Sequence, residues 1–253
     1  MQKVLVAVKR VVDHNVRIRV KPDGLGVETE NVRLSMNPFD KHAVEAAVQL
    51  AEAGHAQEIV VVSIGPKGAT DAILAALAMG AHRGLLLETD ARLETLAVAK
   101  LLAAVVAGEK PDLVLLGKQA VDDDSGHVGQ MLAGLLDWPQ ASFASAIKVA
   151  GNALEVTREV DFGRAEYRLA LPAVVTADLR LNVPRNAALP MVMKARQKPL
   201  AIRPAGEFGI DLTPRLQVEN VSAPHQRTGG RAVADVAELA ALVAKARAEA
   251  EIG

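Results

Sequence analysis

The sequence predicts an α/β fold in which helices cover both faces of a doubly wound, mostly parallel β-sheet. Short apolar runs of strand length, such as residues 3–9 and 112–116, alternate with helical patterns over the first 137 residues. Apolar runs of this kind are typical of strands covered on both faces. Their alternation with helices of about 10–15 residues indicates βαβ units. A chain of 253 residues can bury such a core without disulfides.

Local signals place each element of the parallel part. After the first strand, a charged segment at 13–21 and a Pro-Asp-Gly turn at 22–24 predict a hairpin arm that projects from the sheet. Asn37 as N-cap and Pro38 as the first helical residue predict a helix over 37–53. The other strands are expected at 58–64, 84–88 and 112–116, and the other helices at 69–79, at 93–107 and up to 136.

After residue 137 the pattern becomes antiparallel. Gly151-Asn152 is a hairpin-turn sequence, and the β segments lie at 146–149, 154–160, 167–171 and 173–177. Residues 178–232 contain six prolines and predict a loop-rich region. A last helix over about 234–251 is amphipathic, with one face formed by Val236, Leu239 and Val243.

Composition excludes several classes of function. The formal net charge of −1 gives no global attraction to nucleic acid or to anionic membranes, and 2% of aromatic residues is too few for extensive base stacking. The absence of cysteine excludes disulfides, thiolate metal sites and a Cys nucleophile, and it fits a reducing compartment. No uncharged run reaches the roughly 18 apolar residues of a membrane helix, and no signal or transit peptide is visible. We therefore expect an intracellular protein that neither binds nucleic acid nor inserts into membranes.

The first candidate site is the acidic loop at residues 117–128, GKQAVDDDSGHV, which follows one strand and opens a helix. Ligands of doubly wound sheets bind at the carboxyl ends of strands, and the helix N-terminus offers amides to a phosphate. Gly117 and Gly126 would allow close approach of a ligand to the backbone. Two interpretations remain open: a phosphate site, or an acidic helix cap without a ligand, formed by some of Asp122, Asp123 and Asp124.

Two further segments hold candidate residues. In SMNPFD, residues 35–40, capping explains Asn37 and Pro38, whereas Phe39 in the first helical turn could contact a ligand ring. Residues 179–206 contain six basic residues and no acid around an apolar segment at 187–193. That segment is either a solvated basic loop or a docking site for an acidic partner. Histidine spacing indicates no metal site, and no arrangement of residues indicates a catalytic centre.

Five segments in order along the chain resemble the β subunit of electron transfer flavoprotein. They are VLVAVKRVVD near the start, SMNPFD at 35–40, ALAMGAHRG at 76–84, LVLLGKQAVDDDSGHVGQMLAGLLDWPQASFAS at 113–145 and LPAVVTADLRLNVPRNAALPMVMKA at 171–195. The resemblance implies a Rossmann-like, nucleotide-binding domain over 1–232 with a recognition loop at about 183–198. It also implies a helical arm over 233–253 that packs on an α subunit.

The same resemblance implies a heterodimer whose larger α subunit binds most of the FAD, while the β subunit holds a structural AMP. The implied AMP contacts are Ala7, Asn37, Pro38, Phe39, Asp40, Ile64, Gly117, Lys118, Gln119, Ala120, Val121, Asp122, Asp123, Asp124, Ser125, Gly126, His127 and Val128. Phe39 and His14 are implied to lie near the FAD. His14 departs from the family, in which this position is commonly Tyr, so the polarity at the flavin edge can differ.

The resemblance also implies the partners and the residues that bind them. The implied partner-binding residues are Arg185, Leu189, Pro190, Met191, Lys194 and Arg196 in the recognition loop, and Glu159, which meets the mobile flavin domain of the α subunit. For Leu189 the residues alone leave two interpretations open, an exposed anchor or a loop leucine folded into the core. Electrons would pass from acyl-CoA dehydrogenases of fatty acid oxidation and other dehydrogenases, through FAD, to a membrane quinone oxidoreductase.

Three functions remain open from the sequence. The leading one is this electron carrier, which is not itself an enzyme and is cytoplasmic in a bacterium or in the mitochondrial matrix of a eukaryote. The second is a bifurcating relative that holds a second FAD in place of AMP. The third is an ATP-cleaving enzyme of similar fold, in which the aspartates of the acidic loop would hold Mg²⁺.

Overall fold

A computed structural model describes residues 1–224, 229–230 and 232–250. Its strands are β1 (Lys3–Ala7), β2 (Arg10–Val12), β3 (Leu34–Met36), β4 (Glu58–Gly65), β5 (Arg83–Glu88), β6 (Leu113–Gly117), β7 (Gln140–Ala150), β8 (Ala153–Val160), β9 (Gly163–Ala170), β10 (Ala173–Ala177) and β11 (Leu200–Pro204). Its α-helices are α1 (Pro38–Glu52), α2 (Thr70–Met79), α3 (Thr95–Glu109), α4 (Val128–Leu136), α5 (Leu189–Ala195) and α6 (Val236–Ala250).

The main sheet has nine strands in the order β11-β5-β4-β1-β6-β10-β7-β8-β9. The strands from β11 to β7 are parallel, and β8 and β9 extend the sheet as an antiparallel hairpin ribbon. From β1 the chain first builds one side of the sheet with β4 and β5 and then crosses to the other side to add β6, so the sheet has a topological switch point between β1 and β6. This confirms the predicted doubly wound, mostly parallel sheet, and it fixes where a ligand cleft should open.

Helices cover both faces of the parallel part. Val4 and Val6 of β1 are fully buried in the cluster formed with α1 and α2, whereas Leu5 between them is fully buried in the cluster with α3 and α4. Successive side chains of a strand point to opposite faces, so a continuous apolar strand must have apolar cover on each side. The first strand is therefore covered on both faces, as its apolar sequence predicted.

The predicted turn of the hairpin arm that begins at 13–21 is confirmed, but the arm does not form regular strands. The amide of Gly24 donates to the Lys21 carbonyl over 3.0 Å, but only one isolated antiparallel bridge, between Val20 and Val27, joins the two sides. The regular antiparallel pair is β2–β3, which flanks this segment as a separate two-stranded sheet. Ile18 is 50% exposed, so no apolar surface covers the segment and stabilises a longer ribbon.

The second half contains elements that the sequence analysis missed. The Gly151-Asn152 turn joins β7 and β8 as predicted, but β7 begins at Gln140 rather than at 146. The region from 178 also contains β11, which pairs with β5, and the seven-residue helix α5. Both elements are too short to show a clear hydrophobic period, and prolines within or beside them favoured a loop prediction.

The predicted C-terminal helix exists as α6, and its described side chains are mostly exposed to solvent. Val236 is 81% exposed, and Leu239 and Val243 are about half exposed. Residues 225–228 and 231 of the predicted domain and residues 251–253 of the predicted arm lie outside the described residues. The division at 232 stays a prediction.

Candidate functional site

A cleft of about 560 Å³ opens at the carboxyl ends of the parallel strands, at the switch point between β1 and β6. We call it the switch-point cleft. Its walls include Ala7 at the end of β1, Ile64 near the end of β4 and Gly117 at the end of β6. The N-terminus of α4 forms another part of the wall, through Val128 and Gly129. The acidic loop and the SMNPFD segment, far apart in sequence, therefore meet at one cleft.

Most of the residues that the family resemblance implied for AMP line this cleft. They are Ala7, Asn37, Asp40, Ile64, Gly117, Lys118, Gln119, Ala120, Asp122, Asp123, Ser125, Gly126, His127 and Val128. The other four belong to the same two segments but do not line the cleft; they are Pro38, Phe39, Val121 and Asp124. Their roles in ligand binding stay predictions.

The carboxylate of Asp40 holds the floor of the site together. It is 6% exposed and accepts the backbone N–H of Lys9 at 2.7 Å, the backbone N–H of Gly117 at 3.1 Å and the side-chain amide of Asn37 at 2.9 Å. Burial raises the pKa of Asp40 to about 7, although hydrogen bonds from Asn37 and from the Lys9 and Gly117 amides oppose that rise. Asp40 thus links the first turn of α1 to the ends of two neighbouring strands.

Asn37 connects α1 to the acidic loop instead of capping the helix with its side chain. It occupies the N-cap position as predicted, but its side chain makes no capping hydrogen bond. Its Nδ2 donates to the Gln119 carbonyl at 2.8 Å, and its Oδ1 accepts the N–H of Val121 at 3.3 Å. The residue types favoured capping, but besides Asp40 the buried side chain bonds to two residues more than 80 positions away in the sequence.

The hypothesis of an acidic helix cap is wrong. The N-cap of α4 is His127, and no side chain forms a capping hydrogen bond there. Asp122 and Asp123 instead pair with Lys9 Nζ at 2.7 and 3.0 Å, while Asp124 accepts a hydrogen bond from the Gln119 amide. Burial lowers the pKa of Lys9, but the two carboxylates outweigh that effect and raise the net pKa.

Lys9, which the sequence analysis did not select, therefore offsets the negative charge of the acidic loop. This pairing lowers the repulsion that a phosphate would meet in the cleft. The first N–H groups of a helix have no intrahelical acceptors, and α4 begins on the cleft wall. The N-terminus of α4 can therefore bind an anionic group without a further lysine or arginine side chain.

Lys118 lines the cleft, but its ammonium group already has protein partners. Nζ lies 2.9 Å from the buried Asp178 carboxylate and about equally far from the rings of Phe39 and Phe143, at 5.3 and 5.4 Å from their centroids. Phe39 itself is 7% exposed. The side chain of Lys118 is thus fixed by charge pairing and by two aromatic faces.

His14, the other residue expected near a flavin, lies in the loop after β2 and is not part of the cleft wall. Its side chain is 55% exposed, with Nδ1 at 3.8 Å from Asp13 Oδ1 and Nε2 at 3.3 Å from Asn15 Nδ2. Asp13 is buried and also receives a hydrogen bond from the Asn15 backbone at 3.0 Å. The ring is therefore held at one side and open to solvent on the other.

The recognition loop presents helix α5 on the surface. Leu189 is 74% exposed, which contradicts the interpretation of this residue as a core leucine. Pro190, Met191, Lys194 and Arg196 are exposed as well. By contrast, the guanidinium group of Arg185 is paired with Glu45 and Glu52 of α1. Partner binding by these residues stays a prediction.

Glu159 lies near the end of β8, close to the tip of the β8–β9 hairpin. Its carboxylate is 3.2 Å from Arg164 Nε and 4.0 Å from an Nη atom of Arg180. Phe162 at the hairpin tip is fully exposed. Because Glu159 is already paired with arginines of its own chain, a partner subunit would have to compete for this carboxylate.

Two further observations concern the described part of the chain. Within residues 1–224, 229–230 and 232–250, no three His, Asp or Glu side chains converge in a way that could hold a metal ion. Among the helices described there, none combines the length and the apolar character needed to cross a bilayer.

The sequence is similar to known proteins along nearly its whole length. Residues 24–207 match the model of the electron transfer flavoprotein domain. The chain is 54% identical over 250 residues to electron transfer flavoprotein subunit beta of Bradyrhizobium diazoefficiens, covering 99% of both chains. It is 52% identical over 243 residues to the human subunit beta, covering 94% of this chain and 95% of the human one, and 48% identical to the mitochondrial subunit beta of Arabidopsis thaliana, with the same coverage. Because the family model matches most of the chain and relatives with about half of their residues identical cover nearly all of it, the chain belongs to the electron transfer flavoprotein β-subunit family.

Proposed function

We propose that this chain is the β subunit of a heterodimeric electron transfer flavoprotein and holds a structural AMP in the switch-point cleft. The observation that supports this most is the Asp40–Asn37 hub, which joins α1, β1, β6 and the acidic loop around one cleft at the carboxyl ends of the strands. A ligand bound there would contact all four elements at once. It would therefore stabilise the folded chain as well as the assembled protein.

The chemistry of the cleft fits a nucleoside monophosphate. Its volume of about 560 Å³ lies in the range of ordinary ligand sites, and its wall is apolar at Ala7 and Ile64, where a base could lie. Ser63 Oγ belongs to the wall, is 2% exposed and has no hydrogen-bond partner among the described atoms. A buried hydroxyl without a partner is costly, so a ligand atom that bonds to it would be stabilised.

The N-terminus of α4 and the amides of the acidic loop would hold the phosphate. Lys9 reduces the repulsion from Asp122 and Asp123, and Lys118 stays fixed on Asp178 in the cleft wall. These groups bind and orient an anion. The proposal therefore gives AMP a structural role, since amides and paired cations hold a phosphate without cleaving it.

The redox chemistry belongs to FAD, which would be bound mostly by an α subunit and contacted by Phe39 and His14 of this chain. Electrons would enter from acyl-CoA and other dehydrogenases that dock on α5, and would leave to a membrane quinone oxidoreductase. Glu159 would meet the mobile flavin domain of the α subunit. The exposure of Leu189, Met191 and Met193 on α5 supports the docking step, because solvent-exposed apolar side chains on one short helix are what an interface covers.

Native mass spectrometry of the co-expressed α and β subunits tests this function. We expect one α chain, one β chain, one FAD and one AMP. Two FAD molecules and no AMP would replace the proposal by the bifurcating alternative. Turnover of ATP with Mg²⁺ by the same complex would support the third alternative. Removal of AMP by dialysis against mild denaturant should lower the Tm of the heterodimer, and added AMP should restore it.

A further inference from the structure

We infer that Arg185 and Lys198 are positioning residues that fix helix α5 from beneath, so that its apolar face is already in the docking orientation before a dehydrogenase arrives. This inference rests on the proposed docking role of α5. It separates two groups of basic residues in the recognition loop. Lys194 and Arg196 face solvent, whereas Arg185 and Lys198 direct their charges into their own chain.

Arg185 joins the start of the recognition loop to α1 through two carboxylates. Its Nε and Nη2 donate to the two oxygens of Glu45 at 2.8 and 3.0 Å, and its backbone N–H adds a third hydrogen bond to Glu45 at 3.1 Å. Nη1 and Nη2 also donate to Glu52 at 2.6 and 2.9 Å. Glu45 and Glu52 are seven residues apart, two helical turns, and therefore lie along one side of α1.

Glu45 makes this contact hard to replace. Its side chain is 4% exposed, and Gln49 donates a further hydrogen bond to it at 2.9 Å. A buried carboxylate without a paired cation destabilises the folded state. The fold is therefore most stable when the guanidinium group of Arg185 stays beside Glu45. A lysine could neutralise the charge but could not span both carboxylates with the planar fork of an arginine.

Lys198 fixes the other end of the recognition loop. Its Nζ donates to the carbonyl of Leu77 at 2.8 Å and to that of Ala81 at 2.6 Å. Leu77 lies in the last turn of α2 and Ala81 two residues after its end, where a positive charge is favoured by the helix dipole. The backbone N–H of Lys198 donates in turn to the carbonyl of Ala195, the last residue of α5.

Between the two fixed ends, α5 contacts the core through its last residue and through the residues before it. Ala195 is 1% exposed within the core cluster, and Ala187 packs against the same cluster from the residues before the helix. Asn182 adds a hydrogen bond to the His42 carbonyl of α1 at 2.9 Å. A helix of seven residues is not stable by itself, so its orientation depends on these attachments.

A fixed orientation has a consequence for binding. A partner loses affinity when it must first order the loop that it binds, and prior fixation removes this cost. Charges that are already paired within the chain add little to long-range attraction. Loss of Arg185 should therefore weaken docking without changing its salt dependence, whereas loss of Lys194 should reduce the salt dependence.

The test uses the FAD-loaded heterodimer with an acyl-CoA dehydrogenase as the probe. The variant Arg185→Met/Glu45→Gln removes the ion pair without leaving a buried unpaired carboxylate, so the fold is kept and the Tm can be checked directly. Arg168→Met/Glu155→Gln is the matched control, because it removes the same types of charge from an exposed pair between β8 and β9. Trypsin cleavage after Lys194 and Arg196, followed by mass spectrometry, reports the order of α5.

We expect trypsin to cleave the Arg185 double variant on the order of tenfold faster. The dehydrogenase should reduce the FAD of this variant with a higher KM for the heterodimer, an unchanged kcat and an unchanged salt dependence. Arg185→Lys should recover part of both effects, and Lys198→Met should reproduce them. Leu189→Ala should raise the KM without faster cleavage. Unchanged cleavage or an unchanged KM in the Arg185 double variant, with Leu189→Ala impaired, would overturn the inference. Normal reduction by both variants would instead overturn the docking role of α5.

Discussion

The backbone N–H of Gly117 donates to Oδ1 of Asp40 over 3.1 Å, and this hydrogen bond ties the end of β6 to the first turn of α1. The close approach is possible because Gly117 has no side chain. A Cβ at this position would overlap the carboxylate of Asp40, and it would lie 2.6 Å from the Cβ of Phe39 and 2.9 Å from the Asp40 nitrogen. The floor of the switch-point cleft therefore depends on glycine for steric reasons.

Gly117→Ala should destabilise the chain by about 1–3 kcal/mol, because backbone and carboxylate must both shift to make room. It should also weaken AMP binding, since the acidic loop begins at this residue. Gly134→Ala is the control. Gly134 lies within α4 with open space around it, so alanine should stabilise the helix by about 0.5–1 kcal/mol. Thermal unfolding and AMP titration measure both effects; equal behaviour of the two variants would contradict the steric argument.

Acid should destabilise the chain through the ion pairs at the amino ends of β4 and β5 and the end of α3. Arg83 bonds to Glu58 at 2.7 Å and to Glu109 at 2.9 Å, and its hydrogen bonds lower the pKa of Glu109 from its ordinary value of 4.5 to about 2. A carboxylate whose pKa is lower in the folded state than in the unfolded state stabilises the fold at pH values above its unfolded pKa. This stabilisation is lost as the pH falls through the folded pKa. The Tm should therefore decrease between about pH 5 and pH 2.

Arg83→Met tests this assignment. The variant should have a lower Tm at pH 7 and a flatter dependence of Tm on pH between about 5 and 2, because the pKa of Glu109 returns toward its ordinary value. Differential scanning calorimetry at several pH values gives both quantities. An acid dependence identical to that of the unmodified chain would show that other carboxylates control acid unfolding.

Leu189→Ala should slow reduction of FAD by a dehydrogenase and leave the Tm nearly unchanged. A buried leucine contributes about 1.5–3 kcal/mol at an interface, which corresponds to about ten- to 150-fold in affinity. In the free chain Leu189 is 74% exposed, so its truncation removes little packing. Leu216→Ala is the control, since this leucine is 79% exposed as well, and the dehydrogenase should reduce the FAD of this variant at the normal rate. A Tm loss of several degrees for Leu189→Ala would contradict the exposed position.

Helix α6 should need the α subunit to cover its apolar side chains. Val236, Leu239, Leu242 and Val243 are between 36% and 81% exposed, which is unusual for a helix of 15 residues unless a partner covers it. Deletion of residues 234–253 or Leu239→Asp should weaken formation of the heterodimer in gel filtration. Ala241→Asp places the same charge about 200° around the helix and should leave assembly intact. Association that survives the deletion would place the subunit contact elsewhere.

Local patterns in the sequence determined much of this protein. The apolar run of β1, the Gly151-Asn152 turn and the proline at the start of α1 each depend on neighbours in sequence, so their residues sufficed to predict the elements. The position of the acidic loop followed from the same logic, since the carboxyl end of a parallel strand is where a doubly wound sheet opens. The motifs also identified the family, which the full-length similarity confirms.

Only the tertiary structure decided which side chains meet. Asp40 bonds to Gly117 across 77 positions, Lys9 pairs with Asp122 across 113, and Arg185 pairs with Glu45 across 140. No local pattern encodes such pairs, because the partner of a polar side chain depends on how distant elements pack. For the same reason the residue types favoured capping for Asn37 and for the aspartates, whereas in the structure the buried Asn37 bonds to the acidic loop and the exposed Asp122 and Asp123 pair with Lys9. The short helix α5 escaped prediction because seven residues carry too little periodicity, and its attachments to α1 and α2 stabilise it instead.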